Sequence, residues 1–148
     1  RTFKRFKKLV QHQFIDKVLL KILFRRTMGQ NRRNIGSTYE KIAGEYLEKQ
    51  GYQILDYNVY SRAGEIDIVA RDGAYWVFVE VKYRKDEKCG DALEAVTASK
   101  CRTISKCALS YLKKHRLWDV PVRFDVVGIV GEEIRLIKNA FEFCGNCI

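Results

Sequence analysis

Two acids and a base stand close together near the middle of the chain: Asp67 in GEIDIVAR, and Glu80 with Lys82 in YWVFVEVKY. The two runs are rich in β-branched and aromatic residues and meet at Asp72-Gly73, a pair that favours a two-residue hairpin turn. With Asp72 and Gly73 as the loop, Arg71 pairs with Ala74, Asp67 lies opposite Phe78, and Glu65 lies opposite Glu80. Side chains alternate along a strand. Ile66, Ile68, Ala70, Tyr75, Val77, Val79 and Val81 therefore make one apolar face, while Glu65, Asp67, Phe78, Glu80 and Lys82 share the other. Asp67 and Glu80 are then diagonal neighbours, roughly 7 Å or somewhat less apart at Cβ, and their carboxylates can converge on one cation.

That arrangement suits Mg²⁺ or Mn²⁺, hard cations that take oxygen ligands and complete their shells with water and substrate phosphate. The metal would polarise a phosphate and acidify a bound water. Lys82 would stabilise the attacking hydroxide or the charge developing at phosphorus. The expected chemistry is hydrolysis of a phosphodiester. A solvated hairpin face also gathers charges, but it does not account for Glu65 opposite Glu80, because like charges directly opposed are unfavourable without a cation or proton between them.

The elements that must position these groups follow from periodicity. From Ser37 onward Tyr39, Ile42, Ala43, Tyr46 and Leu47 form a helical stripe that stops at Gly51. YQILDYNVY supplies a strand before the hairpin. A long helix is expected from about Leu93 to His115, and RFDVVGIVG and EEIRLIKNA read as a further strand pair turning near Gly131 and Glu132. The order is αβββαββ, an α/β domain with a mixed sheet flanked by helices. Lys100 and Arg102, early in the long helix, and Arg84, just past the hairpin, are candidates to hold DNA phosphates.

GEIDIVARDGAYWVFVEVKYR, with YEKIAGEYLEKQGYQIL before it and EAVTASKCRTI, RFDVV and NAF after it, resembles the YraN-like family of bacterial proteins. That family is similar to archaeal Holliday junction resolvases within the PD-(D/E)xK nuclease superfamily. The resemblance covers about Gly36 to Phe141. It implies an αβββαβ restriction-endonuclease-like core, with Asp67 as the superfamily's Asp and Glu80 with Lys82 as its (D/E)xK pair. The sequence departs from the usual Pro-Asp by reading Ile66-Asp67, in keeping with the family's GEID pattern. The resemblance also implies a further metal-binding acid from the first helix, at Glu40. A competing role for Glu40 is local, since Ser37-Thr38-Tyr39-Glu40 fits a capping box at a helix N-terminus. The implied activity is that of a Mg²⁺- or Mn²⁺-dependent endonuclease acting on DNA, with branched or repair-intermediate DNA among the candidate substrates. Resolvase-like cleavage would call for a homodimer with two active sites.

The charge is unevenly spread. The 148 residues carry a formal +10, and residues 1–35 hold eleven Lys or Arg against one acid, leaving seventeen of each sign in the rest. Residues 1–35 therefore read as a basic amphipathic extension and linker ahead of a nuclease-like domain over 36–148. No apolar run approaches the roughly 20 residues needed to span a bilayer. Five cysteines without a signal peptide point to a reducing compartment, so the cytoplasm is expected. Cys144-Gly-Asn-Cys147 has the CxxC spacing of zinc sites but supplies two ligands of four, and Cys101 and Cys107 fall in the apolar stripe of the long helix. His12 and His115 lack the partners of a catalytic triad. Two other readings compete: a nucleic-acid-binding module without turnover, and an interaction protein that docks through its basic amphipathic helix.

Overall fold

The first helix, α1, spans Arg32–Lys49 in the computed structural model, which describes residues 32–85 and 96–145, with side chains from residue 38. Of the expected basic extension and linker over residues 1–35, residues 1–31 lie outside the described residues; the long helix expected from Leu93 starts only at Ala98, with Val96 and Thr97 outside it. Helix α1 begins before Ser37, so residues 32–36 are helical and not linker. Gly36 sits inside it. One interior glycine costs only about 1 kcal/mol relative to alanine and does not stop a helix that good formers such as Arg32 and Arg33 begin. The helix ends where expected: Gly51 takes φ +94, and the N–H of Tyr52 donates to the carbonyl of Leu47 at 3.0 Å.

Five strands follow: β1 Gln53–Ser61, β2 Gly64–Asp72, β3 Tyr75–Arg84, β4 Val122–Val130 and β5 Glu133–Ile137. They lie side by side in chain order, antiparallel except for the parallel pair β3 and β4. A parallel pair needs a crossover. Helix α2, Ala98–Lys114, lies within it, capped by Thr97, whose Oγ1 accepts the N–H of Lys100 at 3.2 Å. The αβββαββ order and the turn at Gly131 and Glu132 match the sequence reading. No helix among the described residues is long and apolar enough to cross a membrane.

Both faces of the sheet are buried. On one, Ile42, Ala43 and Leu47 of α1 pack on Ile68, Ala70, Val77, Val79, Val127 and Ile129. On the other, Ile104, Cys107, Ala108 and Tyr111 of α2 pack on Ile66, Val69, Phe78 and Phe124. A strand covered on both sides reads as a near-continuous apolar run, as VFV in β3 does. The expected division into an apolar and a charged face therefore holds only toward one end, where Asp67, Glu80 and Lys82 lie.

The hairpin register also differs. Asp72 pairs with Tyr75 and Ile68 with Val79, so the loop is Gly73-Ala74 and not Asp72-Gly73. Gly73 supplies the left-handed φ of +60. Asp72 stays in the strand because its carboxylate is committed elsewhere, 2.7 Å from Arg123 and 2.9 Å from Lys138. Moving the loop by one residue shifts each cross-strand partner by two, which preserves the faces and changes the neighbours. Continued, this register brings Asp67 level with Glu80, so the expected opposition of Glu65 and Glu80 is lost. The ladder between β2 and β3 closes at Ile68 and Val79, while β2 stays paired with β1 through Ile66 and Glu65. Freed from β3, Ile66 packs under α2 and not, as expected, beside Ile68 and Ala70.

Candidate active site

Where β2 parts from β3, two carboxylates are left inside the protein. Asp67 is 8% exposed and Glu80 2%. Asp67 is oriented by its own neighbour strand, its Oδ2 accepting the backbone N–H of Val81 at 2.7 Å. Glu80 is flanked by two ammonium groups: Lys82 Nζ lies 2.6 Å from Oε1, and Lys100 Nζ lies 3.2 Å from Oε2. Lys82 comes from the same strand, and Lys100 reaches in from the first turn of α2.

Glu40 approaches from α1. Its Oε2 accepts a hydrogen bond from Asn58 Nδ2 at 2.7 Å, and Asn58 holds a left-handed φ of +52, a region that asparagine visits more readily than most residues. Because α1 begins at Arg32, Ser37 to Glu40 lie within the helix and cannot form the capping box at its start. Glu40, Glu65, Asp67, Glu80, Lys82 and Lys100 line one cleft of about 220 Å³. Tyr39 and Tyr83 stack beside it with ring centroids 3.7 Å apart.

The electrostatics follow from burial. Asp67 is pushed up to about 7, first by burial and then by the charge of Glu80, against the hydrogen bond from Val81. Glu40 is raised, chiefly by burial, with Glu65 and Glu80 adding to the rise and Asn58 opposing it. Burial alone would lower Lys100, but Glu80 and Asp67 more than offset it and hold the ammonium above its usual range.

The donor set has the chemistry of a divalent-cation site. Asp67 and Glu80 repel each other in a dry setting, and Glu80 Oε2 is a buried oxygen without a well-aligned hydrogen bond among the described residues. Two protein carboxylates completed by water and substrate are what a hard cation such as Mg²⁺ accepts. As the side chains stand, no three His, Cys, Asp or Glu groups among the described residues are drawn together tightly enough to hold a metal ion. Asp67 and Glu80 are the pair that would hold it, with Glu40 across the cleft.

Of the three expected phosphate-binding bases, only Lys100 enters the cleft. Arg102 is exposed on α2. Arg84 lies further along β3, half-buried, with no hydrogen-bond partner for its Nε among the described residues. Asn58, Tyr39 and Tyr83 were not anticipated as part of the site. Tyr39 and Tyr83 adjoin Glu40 and Lys82 in sequence, which was the available signal, whereas nothing local marks Asn58. Cys101 and Cys107 are buried residues of α2 itself, and Cys147 lies outside the described residues.

The raised Asp67 carries a stability prediction. Its folded value near 7 lies above the ordinary carboxylate value of 3.8, so the cost of ionising it inside the protein is absent below about pH 4 and fully present above 7. In EDTA, thermal unfolding is expected to show a contribution from this group that weakens stability as pH rises from about 4 to 7. Asp67→Asn should remove that contribution and make the protein more stable than wild type at pH 8. An Asp67→Asn protein less stable than wild type at pH 8 would contradict the assigned environment.

The sequence matches the model of a family described as an uncharacterised protein family, UPF0102, over residues 39–129. Relatives bearing the name UPF0102 protein include one from Lachnoclostridium phytofermentans, 52% identical over 117 residues, covering 78% of this chain and 99% of the relative. Others come from Geotalea uraniireducens, 46% identical with 76% and 92% covered, and Vibrio campbellii, 43% identical with 74% and 93% covered. The match takes in Glu40, Asp67, Glu80, Lys82 and Lys100 alike. The chain belongs to the uncharacterised protein family UPF0102, the YraN-like family that its central motif resembles.

Proposed function

We propose that this protein is a divalent-cation-dependent endonuclease that hydrolyses DNA phosphodiester bonds. The observation that carries the reading is the burial of Asp67 and Glu80 side by side, with Lys82 against Glu80 and the cleft open beside them. A buried acid whose proton affinity is raised by burial and by a neighbouring carboxylate, as at Asp67, is costly to keep, and functional sites are where such costs concentrate. The resemblance to the PD-(D/E)xK superfamily supports the same residues in the same roles.

Bound Mg²⁺ or Mn²⁺ would supply charge neutralisation at the scissile phosphate and a more acidic water. The chain's own groups do the rest. Val81 fixes the Asp67 carboxylate, Lys82 is held by Glu80 with its ammonium at the cleft, and that ammonium meets charge developing on the phosphate oxygens. Glu40, held by Asn58 in the lining of the same cleft, would add a third acid beside the cation. A homodimer would supply the second active site needed to cut both strands of a branched substrate.

The test is a panel of labelled DNA structures, linear, single-stranded, flapped and four-way, incubated with Mg²⁺, Mn²⁺ or EDTA. Cleavage of at least one member with either metal and none in EDTA is expected. Binding without cleavage under every metal condition would favour a nucleic-acid-binding module.

A further inference from the structure

Glu80 is served by two ammonium groups where the nuclease reading uses one. The two contacts are unequal. Lys82 sits on the same strand and meets Oε1 at 2.6 Å, whereas Lys100 meets Oε2 at 3.2 Å and leaves that buried oxygen without a well-aligned hydrogen bond. The backbone of Lys100 is fixed, because its N–H donates to the Thr97 cap of α2. Its side chain is not fixed in the same way, since 27% of it is exposed and the stem ends in the cleft.

Charge balance says what that second ammonium is for. With Asp67 and Glu80 ionised, Lys82 and Lys100 neutralise the pair. A divalent cation entering between the carboxylates would face both ammonium groups at short range in a poorly screened setting, so one must withdraw. Lys100 has the longer and less directional contact, and on withdrawing from Glu80 it can pair with a new anion brought to the cleft. A phosphate oxygen of the substrate is that anion.

We propose that Lys100 is an exchangeable counter-ion that holds Glu80 Oε2 in the absence of a divalent cation and moves to a non-bridging phosphate oxygen when the cation takes its place. The inference rests on the nuclease reading and adds a coupling to it: cation and DNA bind cooperatively because each favours the same position of Lys100. Coupling of this kind is reciprocal, so DNA strengthens cation binding by the factor by which the cation strengthens DNA binding.

Calorimetric titration of Mn²⁺ into the full chain tests this, with and without a saturating phosphorothioate oligonucleotide and after subtraction of Mn²⁺ binding to the oligonucleotide alone. In wild type the oligonucleotide should tighten Mn²⁺ binding by about fivefold or more. Lys100→Met should bind Mn²⁺ more tightly than wild type when DNA is absent, and DNA should change that affinity by less than about twofold. Lys100→Gln should behave as Lys100→Met does and serves if the latter does not fold, while Lys100→Arg should recover part of the coupling. A neutral variant that binds Mn²⁺ no more tightly than wild type, or keeps the full coupling, would overturn the exchange and leave the metal site standing. No Mn²⁺ heat in any of the proteins would overturn the site and the exchange together.

Discussion

Cleavage slowed by about 100-fold or more, with Mn²⁺ and DNA affinities within a few-fold of wild type, is the expected result for Lys82→Ala. The size of the effect follows from where the ammonium acts. Charge builds on the phosphate oxygens in the transition state, and a preorganised cation in a water-poor cleft stabilises that charge more than it stabilises the bound ground state. Glu80 does not lose its only counter-ion in this variant, because Lys100 remains 3.2 Å from its other oxygen. The fold and the metal site should therefore survive. If Lys82 were merely a solvated base on a hairpin, its removal would change stability by no more than about 0.5 kcal/mol and leave turnover unaltered. Single-turnover cleavage with parallel binding measurements separates the two, and wild-type cleavage by a folded Lys82→Ala protein would rule out the mechanism.

The largest stability effect is expected at the other end of the sheet. Asp125 is wholly buried in β4, and Arg123 grips it through Nε to Oδ1 at 2.8 Å and Nη2 to Oδ2 at 2.9 Å. The same Arg123 Nη2 donates to Asp72 at 2.7 Å and to the Tyr52 hydroxyl at 2.8 Å, while the Tyr52 hydroxyl itself donates to Asp125 at 2.8 Å. The backbone N–H of Asn139 donates to Asp125 Oδ1 at 2.9 Å, so the network ties β2, β4 and the segment after β5 together. Burial and the Asp125 hydrogen bond push the Tyr52 hydroxyl up, and the hydrogen bond to Asp125 raises Arg123 despite burial. Arg123→Met leaves the Asp125 carboxylate buried without its cation. Removing one partner of a buried pair costs about 3–5 kcal/mol, and urea unfolding should show a loss of that order. A loss under about 1 kcal/mol would mean that water or rearrangement satisfies Asp125, and that the network is not what fastens Asp72 in its strand.

That fastening marks the boundary of what the sequence could reveal. The alternation of the hairpin was legible where β2 and β3 are paired, because it depends only on parity, which a one-residue error in the loop does not alter. The loop itself was misread because Asp72-Gly73 is a strong local turn signal, and the interaction that overrides it comes from Arg123 and Lys138, far along the chain. The pairing of Glu80 with Lys82 was legible from the same alternation, while Asp67 joins them just past the paired stretch, where β2 parts from β3. The position of Lys100 was not, since only the packing of α2 against the sheet brings it to Glu80. Glu40 illustrates both sides. Its place opposite the carboxylates came from family resemblance, and the local pattern that competed with it, a capping box at Ser37, fails because the helix starts at Arg32. The burial of Ile66 under α2 was illegible in a different way, because strict alternation was assumed past the point at which β2 leaves β3.

The most direct test of the account is cleavage of the best substrate from the DNA panel by wild type, Asp67→Asn and Glu80→Gln, each with Mg²⁺, with Mn²⁺ and with EDTA. Wild type should cleave with metal only, and neither variant should cleave under any condition while both remain folded. Metal-dependent cleavage by a folded Asp67→Asn or Glu80→Gln protein at the wild-type rate would contradict it, since the chemistry would then belong to another site or to a contaminant.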